Sequence, residues 1–250
     1  MLRYYYVATH EIDGAPGLMF YRDKIHLNDY DTYHWIYSIH EVLTRPANQP
    51  IYYTNNIICH HYQNQNTNRK NYLDLLEKEY KKNPNDVRNI HLLGREYFIY
   101  ERYEDCIDVL SNVRQFESIY TNEVADIYSY IGKSYHMLGD LDQAAAAFKR
   151  GAKAAPHLRG NLLDLANIYI QQGRFGDALL TIGDALKITE KYLLWADDPA
   201  SWREKPYVLA FQAFLGMSMR DEAAVCLDEI ERIYPEFPLL EKLKLKLKET

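Results

Sequence analysis

The chain has 250 residues, 47% hydrophobic and 26% charged, with a net charge of −6 and a pI near 5.9. That balance reads as soluble and globular and argues against a nucleic-acid backbone as the main partner. No run approaches the roughly 20 apolar residues of a membrane span, and Met1-Leu2-Arg3-Tyr4 lacks the apolar core of a signal peptide. Cys59, Cys106 and Cys226 are far apart and form no CxxC pair, so reduced structural thiols and a cytoplasmic location are expected.

Residues 1–66 have their own character. Arg3 to Thr9 is aromatic and β-branched, Asp13 to Gly17 is a turn cluster, and Leu18 to Arg22 resumes an apolar strand, which predicts a hairpin. Trp35 to Leu43 and Ile51 to His60 read as further short extended or mixed segments. Asn64 to Asn68 is a polar linker. So few strands make no independent core, and the segment reads as the end of something larger or a flap folded onto the helices.

From Arg69 the period becomes helical. Tyr72, Leu73, Leu76 and Tyr80 share one face, ended by Asn83-Pro84. A repeat then sets in. Leu93-Gly94, Ile131-Gly132 and Leu165-Ala166 occupy one pair of positions; Tyr97, Tyr135 and Tyr169 come three residues later. Cys106, Ala144 and Ala178 come at twelve, and Leu110, Phe148 and Ile182 at sixteen. Gly132 to Ala166 is 34 residues, the tetratricopeptide period, and the small residues let paired helices approach closely. Gly94 to Gly132 is 38, so extra residues come after the first unit. An insertion spans Leu194 to Pro206. A degenerate fourth unit then places Phe211, Phe214, Ala223, Leu227 and Pro235 in register. Leu239, Leu240, Leu243 and Leu247 form the apolar stripe of a final capping helix.

In such arrays the first helix of each unit lines the groove. Its candidate residues are Arg88, His91, Arg95 and Phe98 in unit one, Asp126, Ser129, Lys133 and His136 in unit two, and Asn167 and Gln171 in unit three. The set could hold a protein or peptide, although exposed helix faces are polar in any case.

The front segment carries the candidates for chemistry. His40-Glu41 lies after the aromatic Trp35, and a Glu whose pKa is raised serves as a general base. Cys59-His60-His61 ends a strand where one imidazole could ligate a metal; neighbouring strand residues point to opposite faces, so the two His do not share one ion. Asp29-Tyr30-Asp31 is a literal DxD that also reads as a polar turn. No Gly-rich phosphate loop, GxSxG or HExxH occurs.

The order Tyr21-Arg22-Asp23-Lys24-Ile25-His26, Ile39-His40-Glu41-Val42-Leu43, His60-His61 and Leu92-Leu93-Gly94-Arg95-Glu96-Tyr97 resembles the C-terminal part of family 2 glycosyltransferases with a tetratricopeptide extension. The resemblance implies that residues 1–66 are the acceptor-side remnant of a GT-A domain whose nucleotide-binding half would precede residue 1. It also implies Glu41 as base with His40 beside it, and His60 near a Mg²⁺ or Mn²⁺ held on the donor diphosphate. No cofactor is expected in isolation, and a separate catalytic half becomes a candidate partner. Asp29-Tyr30-Asp31 lies on the wrong side of Lys24 to His26 for the donor motif.

The expected fold is mainly α. A tetratricopeptide α-solenoid over residues 67–250 is preceded by a small β-containing segment over residues 1–66. The expected function is the acceptor-side and scaffold portion of a glycosyltransferase-like protein, not catalytic alone; the alternative is a tetratricopeptide interaction scaffold with no enzymatic activity.

Overall fold

The computed structural model describes residues 2–9, 16–26, 28–36, 42–44, 46–62, 71–116, 121–193, 195 and 197–249. They group into two compact units, residues 1–89 with 192–197, and residues 90–191 with 198–250.

The first unit holds a three-stranded sheet. Strand β1 (Leu2–Thr9) lies in the middle, antiparallel to β2 (Pro16–Ile25). A two-residue ladder joins β3 (Trp35–Ile36) to β4 (Val42–Leu43). Strand β5 (Tyr52–Tyr62) runs parallel to β1. The expected hairpin is thus β1–β2, with turn residues 13–15 outside the described residues. On β5 the pairing jumps from Thr54 opposite Tyr4 to Ile58 opposite Tyr5, so Asn55 to Ile57 form a bulge.

The strands form the small β-containing segment expected, and nothing in their topology is specific to a GT-A domain. Ile57 in the bulge and Ile58 after it are 43% and 50% exposed. Leu193 in this unit accepts the backbone N–H of Tyr21 at 2.9 Å.

Helix α1 (Tyr72–Lys82) also belongs to the first unit. Its Leu76 is buried, and Tyr72, Leu73 and Tyr80 are half-buried, the face expected from their spacing. It stops at Asn83, before Pro84, whose ring cannot continue a helix. Asp86 then caps the next helix, its carboxylate accepting the N–H groups of Arg88 at 2.8 Å and Asn89 at 3.3 Å.

The second unit is a series of helix pairs: α2 (Val87–Ile99) with α3 (Tyr103–Leu110), α4 (Thr121–Met137) with α5 (Leu141–Ala154), and α6 (Gly160–Gln171) with α7 (Phe175–Leu186). Then come α8 (Lys205–Gly216) with α9 (Arg220–Ile233), and the single α10 (Leu240–Glu249). Only Ile90 onward of α2 belongs to this unit. The extra residues after unit one begin as a 3₁₀ segment, Ser111–Phe116. The insertion contains another, Pro199–Trp202. Arg159 braces it: the guanidinium donates to the carbonyls of Ile188, at 2.6 and 2.9 Å, and Ser201, at 3.2 Å, and stacks 4.1 Å from the Trp202 ring.

The repeat positions pack as their spacing requires. Cys106, Ala144, Ala178 and Ala223 are fully buried. Gly94 lies against Leu110, and Gly132 against Phe148, so tightly that a methyl group on either glycine would collide. Burial pushes the Cys106 thiol up to about 11 against an opposing contribution from Ser134, and burial pushes Cys226 to about 11 as well, so both are packing groups rather than nucleophiles.

The four turns inside the pairs share one backbone device. Glu101, Gly139, Gly173 and Ser218 all have positive φ, from 59° to 83°, and sit seven residues after Gly94, Gly132, Ala166 and Phe211. The next residue in each donates its N–H five residues back, to Tyr97, Tyr135, Tyr169 or Phe214, at 2.8–2.9 Å. This is the Schellman closure, which satisfies otherwise orphaned helix-end carbonyls. In units one and three, Arg102 and Arg174 stack over Tyr97 and Tyr169 at 4.4 and 4.3 Å, while their Nε atoms donate to Asp105 and Asp177 at 2.7 Å.

The terminal stripe differs in one place. Leu240 and Leu243 are buried and Leu247 half-buried, but Leu239 precedes α10 and is exposed.

Candidate partner-binding face

Helices α2, α4, α6 and α8 are the first helices of successive units and carry the candidate face. Arg95, Lys133, Asn167 and Gln212 are equivalent, each one residue after the close-packing position of its helix. All four are half-buried. Arg88, within the first unit, is also half-buried.

Side chains on adjacent first helices are bonded in sequence. His91 on α2 meets Asp126 on α4, Nε2 to Oδ2 at 2.8 Å. His136 on α4 meets Gln171 on α6 at 2.9 Å. Asp164 on α6 accepts from Lys205 on α8 at 2.7 Å, while Lys133 on α4 approaches its other oxygen at 3.9 Å. Lys205 also reaches Asp198 at 3.3 Å. Each rung spans roughly one repeat, because a first helix meets the corresponding turn of the next one.

These rungs set the protonation of their members. Burial would raise the Asp126 carboxyl, but the His91 hydrogen bond and the charges of His91, Lys133 and Arg95 hold it below the usual carboxylate value. Burial would lower Lys205, yet Asp164 and Asp198 keep it above the ordinary lysine value. Burial, reinforced by Asp126, pushes the Tyr130 hydroxyl well up, so it stays a neutral donor. Tyr130 packs edge-on to Phe98, with centroids 5.5 Å apart, and Lys133 lies 5.4 Å from its ring.

Ser129 departs from expectation: it is buried rather than presented on the face. Sequence reasoning missed Tyr130, Asp164, Lys205 and Gln212. Tyr130 was legible, four residues after Asp126 and so on the same helical side. Gln212 was legible from the register. Asp164 and Lys205 were not, since their pairing depends on where the insertion returns the chain.

The candidates for chemistry fall differently. His40 and Glu41 lie outside the described residues. His60 is exposed near the end of β5, and among the described residues no group of three or more His, Cys, Asp or Glu could hold a metal ion. Asp29-Tyr30-Asp31 is a turn: Asp29 Oδ1 accepts the N–H groups of Asp31 and Thr32 at 3.2 and 3.4 Å. Hydrogen bonding, chiefly from the Thr32 side chain, holds the Asp29 carboxyl below its usual value. Among the described residues no helix is long and apolar enough to cross a membrane.

A family model described as tetratricopeptide repeat matches residues 135–203. Over 111 residues, 44% of this chain, the sequence is 32% identical to Tetratricopeptide repeat protein 1 of Schizosaccharomyces pombe, and the match spans 10% of that relative's length. Among solved structures, MamA is similar at a TM-score of 0.53 and 20% identity, over 66% of this chain and 81% of that one. YrrB, described as a TPR protein with an unusual peptide-binding site, matches at 0.53 and 15%, over 69% and 81%. PilF of Pseudomonas aeruginosa matches at 0.54 and 14%, over 69% and 72%. At these identities the structures speak for the fold alone.

Proposed function

We propose that the tetratricopeptide repeat domain of this chain is a scaffold that holds an extended polypeptide segment along its first helices. The observation that carries this reading is the row Arg95, Lys133, Asn167 and Gln212. Every member is a hydrogen-bond donor, and they recur once per unit, the pattern that an extended backbone with regularly spaced carbonyls requires. The rungs His91–Asp126 and His136–Gln171 hold neighbouring first helices in register, which lowers the ordering cost of binding.

The glycosyltransferase reading, with Glu41 as base, His40 beside it and Mg²⁺ or Mn²⁺ near His60, rests on the sequence resemblance alone. The matching family model and the relative from Schizosaccharomyces pombe are of the tetratricopeptide type and lend it no support. The scaffold alternative is therefore favoured, with protein or peptide as partner.

Selection of a random 12-residue peptide display library on the full chain tests the proposal. Enriched peptides should bind the parent at micromolar Kd and lose about tenfold or more in Lys133→Ala/Asn167→Ala, roughly 1.4 kcal/mol. Enriched peptides that bind the double variant as tightly as the parent would place the site elsewhere.

A further inference from the structure

The last two helices form a surface that the peptide-binding reading does not use. Helix α9 carries five carboxylates, Asp221, Glu222, Asp228, Glu229 and Glu231, against the two guanidinium groups of Arg220 and Arg232. Helix α10 reverses the balance, with four lysines against Glu241 and Glu249. An acidic helix therefore lies beside a basic one.

Between them is a groove of about 330 Å³, floored by Ala224 and Leu227 from α9 and by Leu245 and Leu247 from α10. Leu245 is 56% exposed, and Val225 nearby on α9 is 66% exposed. Arg220 donates to the carbonyl of Leu247 at 2.6 Å, so the far end of α10 is held in place and the groove is preformed. Lys244 is engaged with Glu231 at 3.0 Å and Glu241 at 3.2 Å. Asp228 and Lys248 also line the groove, and neither has an ionic partner among the described residues.

We infer that this end of the array is a self-association surface, on which α10 of one copy lies antiparallel across the α9–α10 groove of a second copy. A two-fold contact repeats every interaction twice, so the surface must complement itself. This one does. The basic α10 of each copy faces the acidic α9 of the other, Leu245 of each enters the other's apolar floor, and Lys248 of each meets the other's Asp228. A partner of uniform charge would match only one of the two helices. Exposed leucine flanked by unpaired opposite charges is the composition of an interface centre with a polar rim.

Sedimentation velocity on the full chain, from about 5 to 200 µM at low salt, tests the inference. The parent should show a concentration-dependent monomer–dimer equilibrium that weakens as salt screens the charges. Leu245→Glu should leave it monomeric with unchanged helical content. Asp228→Lys and Lys248→Asp alone should each weaken the dimer about tenfold, and the two together, which swap the charges across both contacts, should restore it to within about threefold. A monomeric parent at the highest concentration, with the groove left open or covered by some other segment, overturns the inference. So does a dimer indifferent to Leu245→Glu and to the charge swap.

Discussion

The same chemical change, glycine to alanine, should carry opposite signs at three helical positions of this array. At Gly94 a new Cβ would lie 2.2 and 2.3 Å from Leu110 Cδ2 and Cγ, and at Gly132 it would lie 2.7–2.8 Å from the Phe148 ring. Leu110 and Phe148 are essentially fully buried, so neither can swing out into solvent. Overpacking of this kind costs about 1–3 kcal/mol. Against it stands the helix-propensity gain of alanine over glycine, about 0.8–1 kcal/mol. The net expectation is a loss of up to about 2 kcal/mol, larger at Gly94, where the contact is with a branch-point carbon. Gly183 in α7 has nothing within 4 Å of its virtual Cβ, so Gly183→Ala keeps only the propensity gain. A change of 1 kcal/mol moves the melting temperature of a chain this size by about 2–4 °C. Thermal melts followed by circular dichroism should therefore rise for Gly183→Ala and fall for the other two. If Gly94→Ala and Gly132→Ala both melt at or above the parent, the close helix approach is not where the repeat register puts it.

Glu101 and Ser218 hold the left-handed conformation that Gly139 and Gly173 supply elsewhere, so Glu101→Gly and Ser218→Gly should each stabilise by about 0.5–1 kcal/mol. Urea titration decides; loss of stability in both would deny that the four turns are equivalent. The Asp126 carboxyl is held down in the folded state, so its contribution is present above the unfolded value of about 3.9 and is lost as pH falls through the lower folded one. Asp126→Asn should thus cost about 1 kcal/mol at pH 7, after allowance for solvent screening, and less below about pH 4. A deficit that persists undiminished well below about pH 4, where the carboxyl is protonated, would show that the Asp126 charge does not stabilise the fold.

Sequence alone determined the helical half of this protein because its information is local and repeated. Gly132, Ala144 and Phe148 lie within one helix hairpin, and their spacing specifies which atoms must touch; when the same spacing recurs at Gly94, Cys106 and Leu110, chance is a poor explanation. The candidate face was legible for the same reason, since position within a unit fixes side. Even the turns were written there, in Gly139 and Gly173, although Glu101 and Ser218 disguised the other two. Beyond the reach of sequence were interactions set by distance along the chain. Asp164 meets Lys205 at 2.7 Å only because eighteen residues between α7 and α8 return the fourth unit to the third. The sheet of the first unit shows the reverse failure. Its β1–β2 hairpin was foreseen from aromatic and β-branched residues around a turn cluster, but that pattern says nothing of what covers a face, and Ile57 and Ile58 are 43% and 50% exposed. Burial belongs to the assembled tertiary structure, because it depends on which surfaces meet and not on the pattern within any one of them.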